Sequence, residues 1–157
     1  MKKKILYPLI LILFFAACKY EDGPIISLSS PKNRLLQEWK IENVKVDGID
    51  STQRYSDSCN CDLEFISNND YIGVDVVLLH NCKNLPAYYD PNDIGYWTFK
   101  DHKKILHVGF SGNSYEGLGP IGLGKISDWE ILKLTGKKFW FKTTFNNKVY
   151  EFKLKII

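Results

Sequence analysis

The stretch from Trp129 to Ile157 constrains the fold more than any other, because three successive strands can be read from it with their register fixed. A two-residue turn at Asn146-Asn147 sets Phe141 opposite Phe152, Phe139 opposite Leu154 and Lys142 opposite Glu151, an apolar face backed by a charge pair. A turn at Gly136-Lys137 sets Leu134 against Phe139 and Leu132 against Phe141, so a third strand extends that face. Three strands with one apolar face need a cover, and in an all-β chain the sheet itself supplies it by curling into a small barrel. One detail resists this register. With Leu132 and Leu134 inward, Trp129 and Ile131 point outward, on the side where Trp140 lies beside Lys133 and Lys153. Either a bulge near Glu130 and Ile131 returns Trp129 to the core, or the outer face carries an aromatic patch for a protein partner or a glycan.

The upstream chain supplies the strands that such a barrel needs. A short helical turn around Leu35 and Leu36 precedes Trp39 and Ile41, and a bulge at Asn43 explains the change of phase to Val44 and Val46. Asp47 to Asn60 is polar and rich in turn residues. Leu63 and Phe65 then alternate with Asp62 and Glu64, and Asn68-Asn69 supplies a turn. Ile72, Val74, Val76 and Leu78 continue the same face, with His80 in phase with it. Gly95, Trp97 and Phe99 pair across Asp101-His102 with Val108, Leu106 and Lys104, while His107 phases with Tyr96 on the other side. One strand, two hairpins and the final three strands make about eight, the number that closes an up-and-down barrel. The expected fold is all-β, a single antiparallel β-barrel.

The formal net charge of +3 does not imply a nucleic-acid partner, because Lys2, Lys3 and Lys4 account for all of it and the remaining chain is neutral. Those lysines open an export leader. Ile5 to Phe15 is an apolar run of eleven residues, too short to span a bilayer, and Ala16-Ala17 is a small-residue site directly before Cys18. Small residues ending on a cysteine resemble the lipobox of bacterial lipoproteins. The resemblance implies a signal peptide over residues 1–17 and a diacylglycerol on the thiol of Cys18, the first mature residue. Lys19-Tyr20-Glu21-Asp22 is similar to the surface-export signal of Bacteroidetes lipoproteins, and Lys19 beside the lipid cysteine favours the outer membrane. The implied location is the outer membrane, on its periplasmic or cell-surface face. Gly23 to Lys32, with its prolines and serines, reads as a tether. Residues 18–33 therefore form anchor and tether, and residues 34–157 the barrel.

Leu36-Gln37-Glu38-Trp39-Lys40-Ile41 resembles the opening of lipocalin-like domains, in which a Trp on the first strand packs across the closed end of the barrel. Cys61-Asp62, Asp90-Pro91-Asn92-Asp93, Gly95-Tyr96-Trp97 and Trp129-Glu130-Ile131 extend the resemblance, over most of the mature chain, to lipocalin-like lipoproteins common in Bacteroidetes.

With Cys18 taken by lipid, three cysteines remain, and outside the cytoplasm a disulfide is expected. Pairing along the second hairpin sets Cys59 opposite Leu78 and Cys61 opposite Val76, both towards the end where Cys82 begins its loop. A Cys59–Cys61 ring would be very short, so Cys59–Cys82 and Cys61–Cys82 stay open on spacing. The family resemblance implies Cys61–Cys82. The same thiols with His80 lack the usual zinc spacing, and no metal or cofactor is expected.

Other signals point to ordinary loops. Gly117 to Lys125 contains GxGxxG and GxxxxGK patterns, but Ile126 stands where a magnesium-holding Ser or Thr belongs and no helix pattern follows. The glycine-rich run from Gly109 to Gly124 reads as a mobile connection or a flap over the mouth. Asp90-Pro91-Asn92-Asp93 lacks a full calcium ladder. His80, His102 and His107 have no nucleophile in a recognisable elbow and no acid placed to orient them, so no enzyme is expected.

Two function classes follow. One is a membrane-anchored barrel that binds a small or hydrophobic ligand between Phe65, Val76, Trp97, Phe139, Phe141 and Phe152. The other is an anchored module with a filled barrel that docks on a protein partner or a glycan. The large aromatic inward residues favour a full or narrow interior.

Overall fold

The computed structural model describes residues 29–58, 60–67, 74–83, 94–110 and 126–157, and its strands follow chain order around a closed antiparallel barrel. The strands are β1 Glu38–Val46, β2 Ile49–Asp50, β3 Asn60–Ile66, β4 Val76–Lys83, β5 Ile94–Lys100, β6 Ile105–Phe110, β7 Ile126–Leu134, β8 Lys138–Phe145 and β9 Lys148–Ile156. β1 pairs with β9 from Trp39↔Ile156 to Val46↔Tyr150, which closes an eight-stranded, lipocalin-like up-and-down barrel. The two-residue β2 pairs only with the end of β1 and stands outside the closed ring. Its turn, Asp47-Gly48, has φ of 51° and 81°. Asp-Gly is a strong short-range hairpin signal, overlooked within a segment read only as polar and turn-rich.

The last hairpin forms as its sequence dictates. Asn146 and Asn147 take φ of 49° and 60°, as a primed two-residue turn requires, and Phe141↔Phe152, Phe139↔Leu154 and Lys142↔Glu151 are paired. Leu134 meets Phe139, but the partner of Phe141 is Ile131 and not Leu132, because the register shifts between Ile131 and Lys133. Leu132 is the extra residue of that bulge. Upstream of it Ile131 and Trp129 turn inward and are buried. A second shift lies between Ile41 and Asn43, next to the expected position.

Two hairpins correct the sequence reading, with different consequences. β5 and β6 are joined by four residues, Asp101 to Lys104, so Trp97 pairs with Val108 and Phe99 with Leu106. This slip of two residues leaves every side chain on its expected face, since strand faces repeat every second residue. β3 and β4 slip by an odd number. Leu63 pairs with Leu79 and Phe65 with Val77, so Val77 and Leu79 face the core where Val76 and Leu78 were expected. The paired ends Ile66 and Val76 are separated by residues 67–75. The turn at Asn68-Asn69, like Ile72, lies outside the described residues.

The two barrel ends differ. At one, Ser30 caps the short helix α1, Pro31–Leu35, by accepting from the Asn33 N–H at 3.1 Å. Residues 31–33, which the sequence assigned to a tether, are folded, and Lys32 lies 2.7 Å from Asp75. The Trp39 indole N–H donates to the Leu35 carbonyl at 3.0 Å, and the Arg34 guanidinium to the Leu134 carbonyl at 2.7 Å, so α1 plugs this end. At the other end, the mouth, helix α2, Thr52–Ser58, follows the β2 hairpin and buries Tyr55 edge-on to Phe152 at 6.3 Å.

Candidate functional site

Phe65, Trp97, Phe139, Phe141 and Phe152 all lie in the buried core, as their alternation required. They do not line a hollow. Phe65 packs edge-on against Trp97, Trp129 and Phe139 at 5.9, 6.5 and 6.0 Å, and Phe141 stacks between Trp129 at 4.2 Å and Phe152 at 4.9 Å. Ring centroids this close leave no room between them for a ligand. Val76 is buried but stands outside this cluster, and its carbonyl accepts from the Trp97 indole at 2.8 Å. Gly95 makes part of the packing possible: a Cβ there would come within 2.8 Å of the Phe110 ring and of Val77.

Open space occurs at the mouth. A cleft of ≈ 320 Å³ is lined by Val46, Asp47, Ile49, Ser51, Arg54, Tyr55, Lys148 and Tyr150. Three local features build it. The Asp47-Gly48 and Asn146-Asn147 turns bring β1 and β9 to a common rim, with the Val149 N–H donating to the Asp47 carboxylate at 2.9 Å. Asp50 starts α2 by accepting from the Thr52 N–H at 2.9 Å, and this bond, with that of the Thr52 hydroxyl, holds its carboxyl below the usual carboxylate range. Tyr150 continues the inward phase of Phe152 and Leu154, and α2 lays Tyr55 over the same region. The cleft therefore has aromatic walls, two cations, the Asp47 carboxylate already held by the Val149 N–H, and an exposed apolar lip at Ile49. Sequence reasoning missed Tyr55, Arg54 and Lys148. The available signal was Asp50-Ser51-Thr52 ahead of Tyr55, a helix start with one apolar residue to bury.

Of the three histidines, His80 departs from its expected face. His80 lies on the outer face, opposite Asp62, with Nε2 at 2.7 Å from the Glu64 carboxylate. His107 shares the outer face with Tyr96 as expected, the rings 6.2 Å apart, and its Nδ1 contacts the Asp128 carboxylate at 2.5 Å, with Lys100 Nζ at 2.8 Å. The hydrogen bond from His107 holds the Asp128 carboxyl below its ordinary range. Acids thus do stand beside two histidines, paired across neighbouring strands where spacing along the chain could not show it. His102 is in the β5–β6 turn with φ 51°, as read.

Cys61 and Cys82 are bonded, with Cα atoms 4.1 Å apart, which tie β3 to β4 near the mouth. Cys18, Cys59, the Asp90–Asp93 loop and the glycine-rich run after Phe110 lie outside the described residues. Trp129 is in the core, so the outward patch contracts to half-buried Trp140, which has the ammonium groups of Lys133 and Lys153 at 4.5 and 4.6 Å from its ring centre. Among the described residues no three His, Cys, Asp or Glu side chains gather as a metal site. Neither the family models nor the curated proteins compared with the chain match it.

Proposed function

We propose that the chain is a lipid-anchored, lipocalin-like binding module of the outer membrane or cell surface, which receives a small amphipathic ligand at the barrel mouth rather than inside the barrel. The observation that carries this reading is the contrast between an interior packed with touching rings and the ≈ 320 Å³ cleft under α2. That volume is at the lower end for small-molecule sites, which are largely apolar with a few placed polar groups. Tyr55, Tyr150 and Ile49 suit an apolar body, and Arg54 with Lys148 suits an anionic group. The disulfide supports an exported protein, since such bonds persist in oxidising compartments.

Anilinonaphthalene sulfonate, an aromatic anion, is a suitable probe. It should bind at one site per chain, and Arg54→Ala with Lys148→Ala should weaken it by roughly ten-fold or more, the value of a lost charge-assisted hydrogen bond. Full affinity in that variant would reject the mouth site. The filled interior would then favour the second reading, a module that docks on a protein or glycan through its surface. The anchor is tested separately: Cys18→Ser should move the protein from the membrane fraction to the soluble one. Retention in membranes after a high-salt wash would reject lipidation.

A further inference from the structure

The outer face of β7, β8, β9 and β1 carries lysines in two adjacent rows. In the first, Lys138 pairs across to Lys155, and Lys155 to Lys40. In the second, Lys133 lies opposite Trp140, and Trp140 opposite Lys153. Like charges directly opposite on neighbouring strands repel. The following row shows the stabilising alternative, with Glu151 between Lys142 and Lys45. Of the five lysines, only Lys155 has a carboxylate at ion-pair distance among the described residues, Glu42 at 2.9 Å. Trp140 acts as the hub of the group. Lys133 reaches its ring from β7 and Lys153 from β9, at 4.5 and 4.6 Å, and Lys138 stands at 5.9 Å. A ring approached by ammonium groups from both flanking strands is not offered to a sugar. It holds positive charge together instead.

This face adjoins the plugged end, where the described chain begins. α1 lies against the β7–β8 turn: Arg34 donates to the Leu134 carbonyl and Gln37 to that of Gly136, while the Ile156 N–H donates to the Lys137 carbonyl. Lys138 and Lys155 therefore lie at the barrel end that α1 covers, with the start of α1 across that end at Asp75, which Lys32 contacts at 2.7 Å. From Cys18, the ten residues Lys19 to Leu28 can reach at most about 35 Å.

We propose that the lysine face docks on the anionic phosphate headgroups of the membrane that carries the anchor, which holds the plugged end against the bilayer and leaves the mouth cleft turned to solvent. The proposal rests on the lipid-anchored reading for its choice of partner, and on the lysine rows for its chemistry. Basic clusters beside a membrane attachment bind anionic surfaces with each lysine contributing roughly five-fold in affinity.

The test uses residues 29–157, which contain the closed barrel, its core and its disulfide, with folding checked by cooperative melting. This segment should bind vesicles of mixed phosphatidylcholine and phosphatidylglycerol, should ignore vesicles of phosphatidylcholine alone, and should be released by high salt. Lys40→Ser, Lys138→Ser and Lys155→Ser together should weaken binding on the order of 100-fold, with a melting temperature unchanged or raised as the repulsion is relieved. The proposal is overturned if the triple variant binds like its parent, if both vesicle types bind equally, or if neither binds. Binding of a sulfated polysaccharide without binding of anionic vesicles also overturns it, in favour of a soluble polyanion. The segment lacks Cys18, so failure here leaves the anchor untouched, and the Cys18→Ser fractionation decides the anchor without reference to the lysines.

Discussion

Replacing Trp129 by alanine is expected to destabilise the barrel by about 3 to 5 kcal/mol, the range for removing a large aromatic side chain from a close-packed core. The ring is fully buried, stacked on Phe141 at 4.2 Å with planes 6° apart and edge-on to Phe65. Its indole N–H donates to the Ser127 hydroxyl at 2.7 Å, so truncation opens a cavity and removes that bond's donor as well. Denaturant unfolding measures the loss directly. Trp140→Ala is the natural comparison, since its half-buried ring contributes mainly lysine contacts, about 1 kcal/mol at a partly exposed site. An unfolding midpoint for Trp129→Ala as high as that of the parent would place the ring outside the barrel and remove the bulge at Leu132.

Loss of the disulfide ranks next. Cys61→Ser with Cys82→Ser should cost about 3 kcal/mol, because the bond closes a loop of sequence separation 21 and the unfolded chain regains that freedom. For a domain of this size the melting temperature should fall on the order of 10 °C. Mass analysis of residues 29–157 should show one disulfide with one free thiol, which by elimination is Cys59. Three free thiols, or a double variant as stable as the parent, would contradict the assignment. The bond matters here because residues 67–75 separate the paired ends Ile66 and Val76, too long a connection to dictate the register of β3 on β4. Asn60 pairs with Lys83 only across a shift in register, and the bond ties the strands there.

How much could be read in advance varied from hairpin to hairpin with the length of the turn. Asn146-Asn147 admits one pairing, and all of its partners were legible. At Asp101–Lys104 the turn was read two residues too short, an error that preserved both faces and therefore the core assignment of Trp97. Between β3 and β4 the connection is long, and an alternating pattern alone left two faces to choose from. Alternation favours Val76 in the core cluster and His80 inward, whereas Val77 and Leu79 face the core and His80 lies outside. The mouth cleft was illegible for a related reason. Its lining comes from three separated segments, around Asp47, Tyr55 and Tyr150, that meet only when the barrel closes.

By itself the sequence determined the class of fold, the number of strands in the closed ring, the final hairpin and most of the inward aromatic residues, because these depend on period-two alternation and on turns whose geometry two residues dictate. Tertiary structure decided the rest. The bulge at Leu132 exists because Trp129 and Ile131 gain more inside the barrel than an unbroken ladder would give, and that gain appears only once Phe65 and Phe141 are in place to receive them. The gathering of Lys133 and Lys153 at Trp140, and of Glu64 at His80, likewise joins residues whose distance along the chain carries no record of their meeting. Local interactions select the strands; burial of the shared core selects their registers, and with them every site on the surface.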